Sequence, residues 1–137
     1  MRKDIGTFRA KELDTGIWVI GYLDVAAPPD YAYIITGDEK TCRVDPETVG
    51  EFTGLTDNYG ERIFEGDVVH LFGDKGTDTQ FINYNALVIF RHGGFCTIDG
   101  TPDDYAVCRF DFTSSLNCEV IGNIYDNPEL LEGDEKG

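Results

Sequence analysis

Two histidines, four cysteines and two serines are the side chains of this 137-residue chain that suit metal or nucleophilic chemistry. Their spacing supports neither. A closed zinc site needs four converging ligands, and the chain has no His-x-x-x-His, no His-Glu-x-x-His and no Cys-x-x-Cys. Cys42, Cys96, Cys108 and Cys118 are far apart and flanked by apolar or β-forming residues, which suits buried thiols acting as small hydrophobes. Cys96 with His92 is a nucleophile–base pair on paper. The same residues fit a strand that follows the Gly93-Gly94 turn better, because buried thiols are inert. His70 lies in the apolar run of residues 68–72, and Ser114-Ser115 lacks a G-x-S-x-G frame. The expectation is a protein that is not an enzyme, with no catalytic residue, no metal and no cofactor.

Carboxylates are abundant, with 26 Asp and Glu against 11 Lys and Arg, a net charge of −15. Pairs such as Asp103-Asp104 arise from that composition. Neither a calcium-binding loop nor a phosphate-binding loop is present. Residues 99–104 read as a solvated turn, and residues 73–76 have the wrong spacing and charge for a phosphate cradle. Duplex DNA and anionic membrane should both repel such a chain. A basic protein partner remains open, and charge also keeps a protein dispersed. The first residues carry charge without an apolar core, unlike a signal peptide, and no apolar run reaches the ~20 residues of a membrane helix. Reduced thiols in the cytoplasm follow as the expectation.

Trp18, Tyr22, Tyr31 and Tyr33 crowd two N-terminal segments. A platform for stacking nucleic-acid bases needs cations beside its rings, and the sequence neighbours here are Asp24 and Asp30. The four rings fit a core or a protein–protein contact. They are the candidate protein-interaction surface, and a homo-oligomer is expected.

The elements that hold these residues are short strands. Residues 17–23 and 31–36 are β-branched and aromatic, a hairpin-like pair interrupted by Pro28-Pro29. Neither alternates cleanly, so both faces should be covered, within the sheet or by another subunit. Residues 7–13 read as a short extended or irregular entry. Residues 42–45 extend into Pro46, which opens a single helical turn. Asp57-Asn58-Tyr59-Gly60 and Glu65-Gly66-Asp67 are turns. Strands follow at 68–72, 85–91, 95–98, 106–112 and 119–124. Asn127 caps a short helix beginning at Pro128. Strands separated by frequent turns predict an all-β fold with minor short helices, a compact barrel or sandwich with a hairpin region at the N-terminus.

Phe8-Arg9-Ala10, Gly21-Tyr22-Leu23, the run Val44–Gly50, Tyr59-Gly60, Ile63-Phe64-Glu65-Gly66-Asp67-Val68-Val69 and the closing block of residues 119–131 closely resemble the YopX-like family. Its members are small proteins encoded by bacteriophages, prophages and related mobile elements. The ordered motif Phe-Thr-Gly-Leu-x-Asp-x-x-Gly-x-x-Ile-Phe-Glu-Gly-Asp-Val-Val makes chance an unsatisfactory account. The resemblance implies a β-rich fold with a small barrel and an oligomeric assembly, and it implies no established activity. The expected organisation is one domain, with a β-rich oligomerisation region at 1–45, a barrel at 46–132 and a frayed tail at 133–137. The motif itself consists of turn formers and β-formers, so it specifies a fold. The functional expectation is a phage or prophage accessory protein acting through protein contacts and self-association. The alternative is an acidic decoy that mimics DNA and occupies a basic host protein.

Overall fold

β-branched and aromatic residues at period two, punctuated by Gly, Asp and Asn, give ten strands and two short 3-10 turns in the computed structural model. It describes residues 7–24, 32–77, 80–81, 83–91, 94–98 and 116–131. The chain divides into two compact units, Met1–Gly54 and Leu55–Gly137.

In the first unit β1 (Thr7–Lys11), β2 (Trp18–Leu23), β3 (Ala32–Thr36) and β4 (Thr41–Val44) form an antiparallel meander. A 3-10 turn (Pro46–Thr48) then leads into β5 (Gly50–Thr56), which pairs with β1 through Phe8↔Glu51 and Arg9↔Gly50. Asp45 starts that turn as the extended residue before proline, and its Oδ1 accepts the Glu47 N–H at 3.0 Å. Of the two readings of residues 7–13, the extended one holds. The first five of these residues form a central strand with a partner on each side.

Beyond its partners, β1 also meets β4. Glu12 bridges Val44, Leu13 N–H donates to Arg43 O at 3.0 Å, and Asp45 N–H donates to Lys11 O at 2.9 Å. Two strands separated by β2 and β3 can touch only if the sheet curls, as right-handed twist favours. The concave face holds a core of Ala10, Ala32, Ile34, Cys42 and Val44, with Phe8, Val19, Leu23 and Val49 packed against it. The curl lets one sheet bury an apolar face without a second layer.

In the second unit the end of β5 passes through the turn at residues 57–61 into β6 (Arg62–Phe64), an element not foreseen. Then come β7 (Asp67–Gly73), β8 (Asn83–Arg91), β9 (Gly94–Ile98) and β10 (Leu116–Asn123), in the antiparallel order β10-β7-β8-β9. Ile63, Val69, Leu71, Ala86, Val88 and Cys118 make its core. The all-β expectation holds, with two antiparallel sheets and no closed barrel among the described residues. The units part inside β5, and the 3-10 turn and the start of β5 are tied to β1. Thr48 Oγ1, for instance, accepts the Lys11 N–H at 2.9 Å. The expected strand at 106–112, the turn at 99–104 and the frayed tail lie outside the described residues.

A second 3-10 turn (Pro128–Leu131) closes the described chain. Its start departs from expectation. Asn127 turns its side chain back to accept the Asn123 N–H at 3.3 Å, while its backbone carbonyl accepts the Leu130 N–H at 3.1 Å.

Gly66 combines a positive φ with a close approach. Its φ is +96°, its N–H donates to Val88 O at 2.9 Å, and its carbonyl accepts the Ile124 N–H at 2.8 Å. A Cβ there would stand 3.0 Å from the Tyr125 ring. Gly66→Ala should destabilise the protein by more than about 1 kcal/mol, since alanine resists positive φ. Urea unfolding of the two proteins checks this.

Candidate functional site

The longest motif of the sequence is organised by one carboxylate. Asp57 is only 8% exposed. Its Oδ1 accepts the Tyr59 N–H at 2.8 Å and the Glu61 N–H at 2.9 Å, and its Oδ2 accepts the Val120 N–H at 2.8 Å. Asn58 completes the attachment to β10. Its backbone N–H donates to Cys118 O, and its Oδ1 accepts the Cys118 N–H, both at 3.0 Å. Asn58 Nδ2 donates to Asn117 Oδ1 at 2.7 Å, and Asn117 Nδ2 donates to Asp74 Oδ1 at 2.7 Å. Asp67, 1% exposed, accepts the Phe64 N–H at 2.8 Å across the turn between β6 and β7. The sequence reading placed a turn at Glu65-Gly66-Asp67, which this bond closes. It missed Asp57's reach to β10, because a contact 63 residues away leaves no local signature.

Burial opposes the Asp57 charge, but the Val120, Glu61 and Tyr59 N–H groups outweigh it and hold the carboxyl below its usual range. The adjacent Cys118 thiol moves the other way. Burial, with the fields of Asp57 and Asp67, pushes it up to about 12. A thiol so protonated is a core residue and not a nucleophile. Cys42 is likewise a buried free thiol. His92, Cys108 and the two serines lie outside the described residues. No cluster of three or more His, Cys, Asp or Glu able to hold a metal ion occurs among the described residues. No helix there is long and apolar enough to cross a membrane.

The candidate interaction surface falls on the convex face of the first unit. Trp18, Ile20 and Tyr22 project together from β2, since alternate residues share a face. Ile20 is 38% and Tyr22 59% exposed. Tyr33 lies on the same side: Tyr22 pairs with Ile35, and Ile35 and Tyr33 alternate along β3. Tyr31 lies outside the described residues. The charge around Trp18 overturns the sequence argument. Its cross-strand partner is Lys11, whose Nζ is 5.5 Å from the ring centroid, and the Arg9 guanidinium lies over the ring at 4.7 Å. Asp30 lies outside the described residues. Strand pairing, invisible in a linear reading, gives this ring cationic company.

A second place gathers polar groups, on the outer face of the β10-β7-β8-β9 sheet. His70, Phe72, Gly73, Gln80, Asn83 and Glu119 line an open cleft of about 400 Å³. In this register His70 stands between Glu119 of β10 and Asn85 of β8. His70 Nδ1 is 2.9 Å from Asn85 Oδ1, and the His70 ring stacks on Phe72 with centroids 5.5 Å apart. Gly122 lets the C-terminal turn lie against the same sheet. A Cβ there would meet Asn127 Oδ1 at 2.6 Å and Leu130 Cδ1 at 2.8 Å.

Asp57→Ala should cost about 3 kcal/mol, because three backbone donors lose a charged acceptor. Asp57→Asn should also flatten the acid limb of stability. The folded pKa of Asp57 is depressed, so its contribution is complete above the unfolded carboxylate value of about 4 and is lost as pH falls through the lower folded value. Denaturant midpoints at near-neutral pH and again in acid, for the two proteins side by side, measure the difference.

Comparison with known proteins agrees with this architecture. The crystal structure of protein EF1440 from Enterococcus faecalis is 22% identical, with a TM-score of 0.52, over 91% of this chain and 96% of that one, a likeness of fold. None of the curated proteins matches. The family model described as YopX protein matches residues 7–132. With that span covering both units, the chain belongs to the YopX family.

Proposed function

We propose that this chain is a non-enzymatic accessory protein of a bacteriophage or prophage. It acts through protein contacts in the bacterial cytoplasm and self-associates through its N-terminal unit. The observation that carries this is the exposed Ile20–Tyr22 stretch of β2 beside Trp18. Large apolar side chains grouped on one sheet face, rimmed by Arg9 and Lys11, resemble the aromatic and Arg-rich centre of a protein interface. The protonated thiol of Cys118 is consistent with an absence of catalysis at that position.

A second reading, the acidic decoy, has one observation in its favour. Up to Gly54 the chain has six basic and ten acidic residues, and from Leu55 it has five and sixteen, so most of the negative charge belongs to the second unit. A basic protein retained on the immobilised chain and released by salt would favour the decoy.

Light scattering over a concentration series tests self-association. The parent chain should exceed its monomer mass. Tyr22→Asp combined with Ile20→Lys should return it to a monomer with unchanged circular dichroism. A parent chain that stays monomeric at every concentration would remove this proposal.

A further inference from the structure

The outer-face cleft of the second unit has a chemistry that selects its ligand. Asn85 Nδ2 donates to Leu130 O at 2.9 Å, and a backbone carbonyl can only accept. That bond fixes which end of the Asn85 amide faces His70: its oxygen. His70 Nδ1 must then carry the proton of the 2.9 Å contact. The nitrogen left over, Nε2, is an acceptor in the neutral ring. Next to His70 stands Glu119, whose half-buried carboxylate has no ion-pair partner among the described residues. Asn83 adds an amide, and Phe72 adds an aromatic ring. Gln80 closes one side, with its Oε1 held by the Gly76 N–H at 3.2 Å. None of the described residues that line the cleft is a Lys or Arg.

The described lining of the cleft thus combines a carboxylate, an imidazole acceptor, an amide and an aromatic ring, with no cation among them. A carboxylate or phosphate ligand would find no charge to pair with. A planar cation rich in N–H groups satisfies every part of it: paired donors for the carboxylate, further donors for the imidazole and amide, and a flat face for the ring. The surplus of acidic residues in the second unit favours the approach of a cation. We propose that the His70–Glu119 cleft binds a guanidinium group, the side chain of an arginine presented by a partner protein. This site is separate from the face assigned to self-association and does not depend on it.

The test uses the full-length, 15N-labelled chain titrated with acetyl-Gly-Arg-Gly-amide, followed by NMR. The same peptide with citrulline, which keeps the shape and loses the charge, is the control, and free arginine is a further arm. The arginine peptide should shift the amides of His70, Phe72, Asn83 and Glu119. It should bind about tenfold more tightly than the citrulline peptide, the difference a charge-assisted pair makes. Glu119→Gln should weaken it by a similar factor, while Tyr22→Asp should leave it unchanged. Phe72→Leu, which keeps an apolar side chain on the strand, should also weaken it. Tighter binding of the peptide than of free arginine supports a protein-borne ligand; the reverse order overturns that part. Equal affinity for arginine and citrulline, shifts confined to other residues, or full binding by Glu119→Gln would overturn the assignment. Because Glu119→Gln leaves the first unit intact, its oligomeric state separates this result from any failure of self-association.

Discussion

A carboxylate that accepts three backbone N–H groups must stay where those stretches of chain meet, and in the second unit that carboxylate is Asp57. It closes its own turn through Tyr59 and Glu61 and reaches β10 through Val120. The geometry is exacting because the group is buried and charged: a displacement leaves both the charge and the donors without partners. Asn58 repeats the arrangement one residue later through Cys118. Two adjacent side chains thereby set the register of the turn against a strand some sixty residues away in sequence. Gly66 does similar work at the next turn, joined through its backbone to Val88 and Ile124. The apolar core of Ile63, Val69, Leu71, Val88 and Cys118 supplies the driving force, and these polar bonds decide which packing it adopts.

The first unit meets a different constraint. It has one sheet and must bury one face without a covering layer. The contacts of Glu12, Leu13 and Asp45 with β4 and β1 bring the strands round upon themselves, so the concave face becomes a core. On the convex face Ile20 and Tyr22 are exposed, and Trp18 and Tyr33 lie on the same side. The lack of clean alternation along β2 and β3 signals this arrangement. A strand whose outer face carries Ile20 and Tyr22 is apolar on both sides, as a buried strand would be.

Short-range signals made much of this legible in the sequence. Pro46 set the end of a strand and the start of a turn, Asp57–Gly60 and Glu65–Gly66 marked real turns, and residues 68–72 and 85–91 are strands. What escaped was non-local. The central position of β1 depends on partners supplied later in the chain. β6 has only three residues, too few to show a period. The environment of Trp18 was misread because charge was taken from sequence neighbours, whereas across antiparallel strands its companions are Arg9 and Lys11. The cleft escaped for the same reason. His70 was read as one member of an apolar strand, and only the pairing of β7 with β8 and β10 places Asn85 and Glu119 on either side of it.

The second unit's sheet therefore has two unlike faces for one physical reason. Alternation along β7 sends Val69 and Leu71 to the core and His70 and Phe72 outward. On the outward face the C-terminal turn is tied down by Asn127 and accommodated by Gly122, and its Leu130 carbonyl holds Asn85, which in turn holds His70. The C-terminal 3-10 turn thus contributes to the cleft without being among its described lining residues. Loss of that turn would leave Asn85 free to flip, and the ring nitrogen presented by His70 would no longer be defined. This makes the C-terminal motif more than a terminus for the sheet, since the polarity of a surface site depends on a backbone carbonyl 45 residues away from the amide it orients.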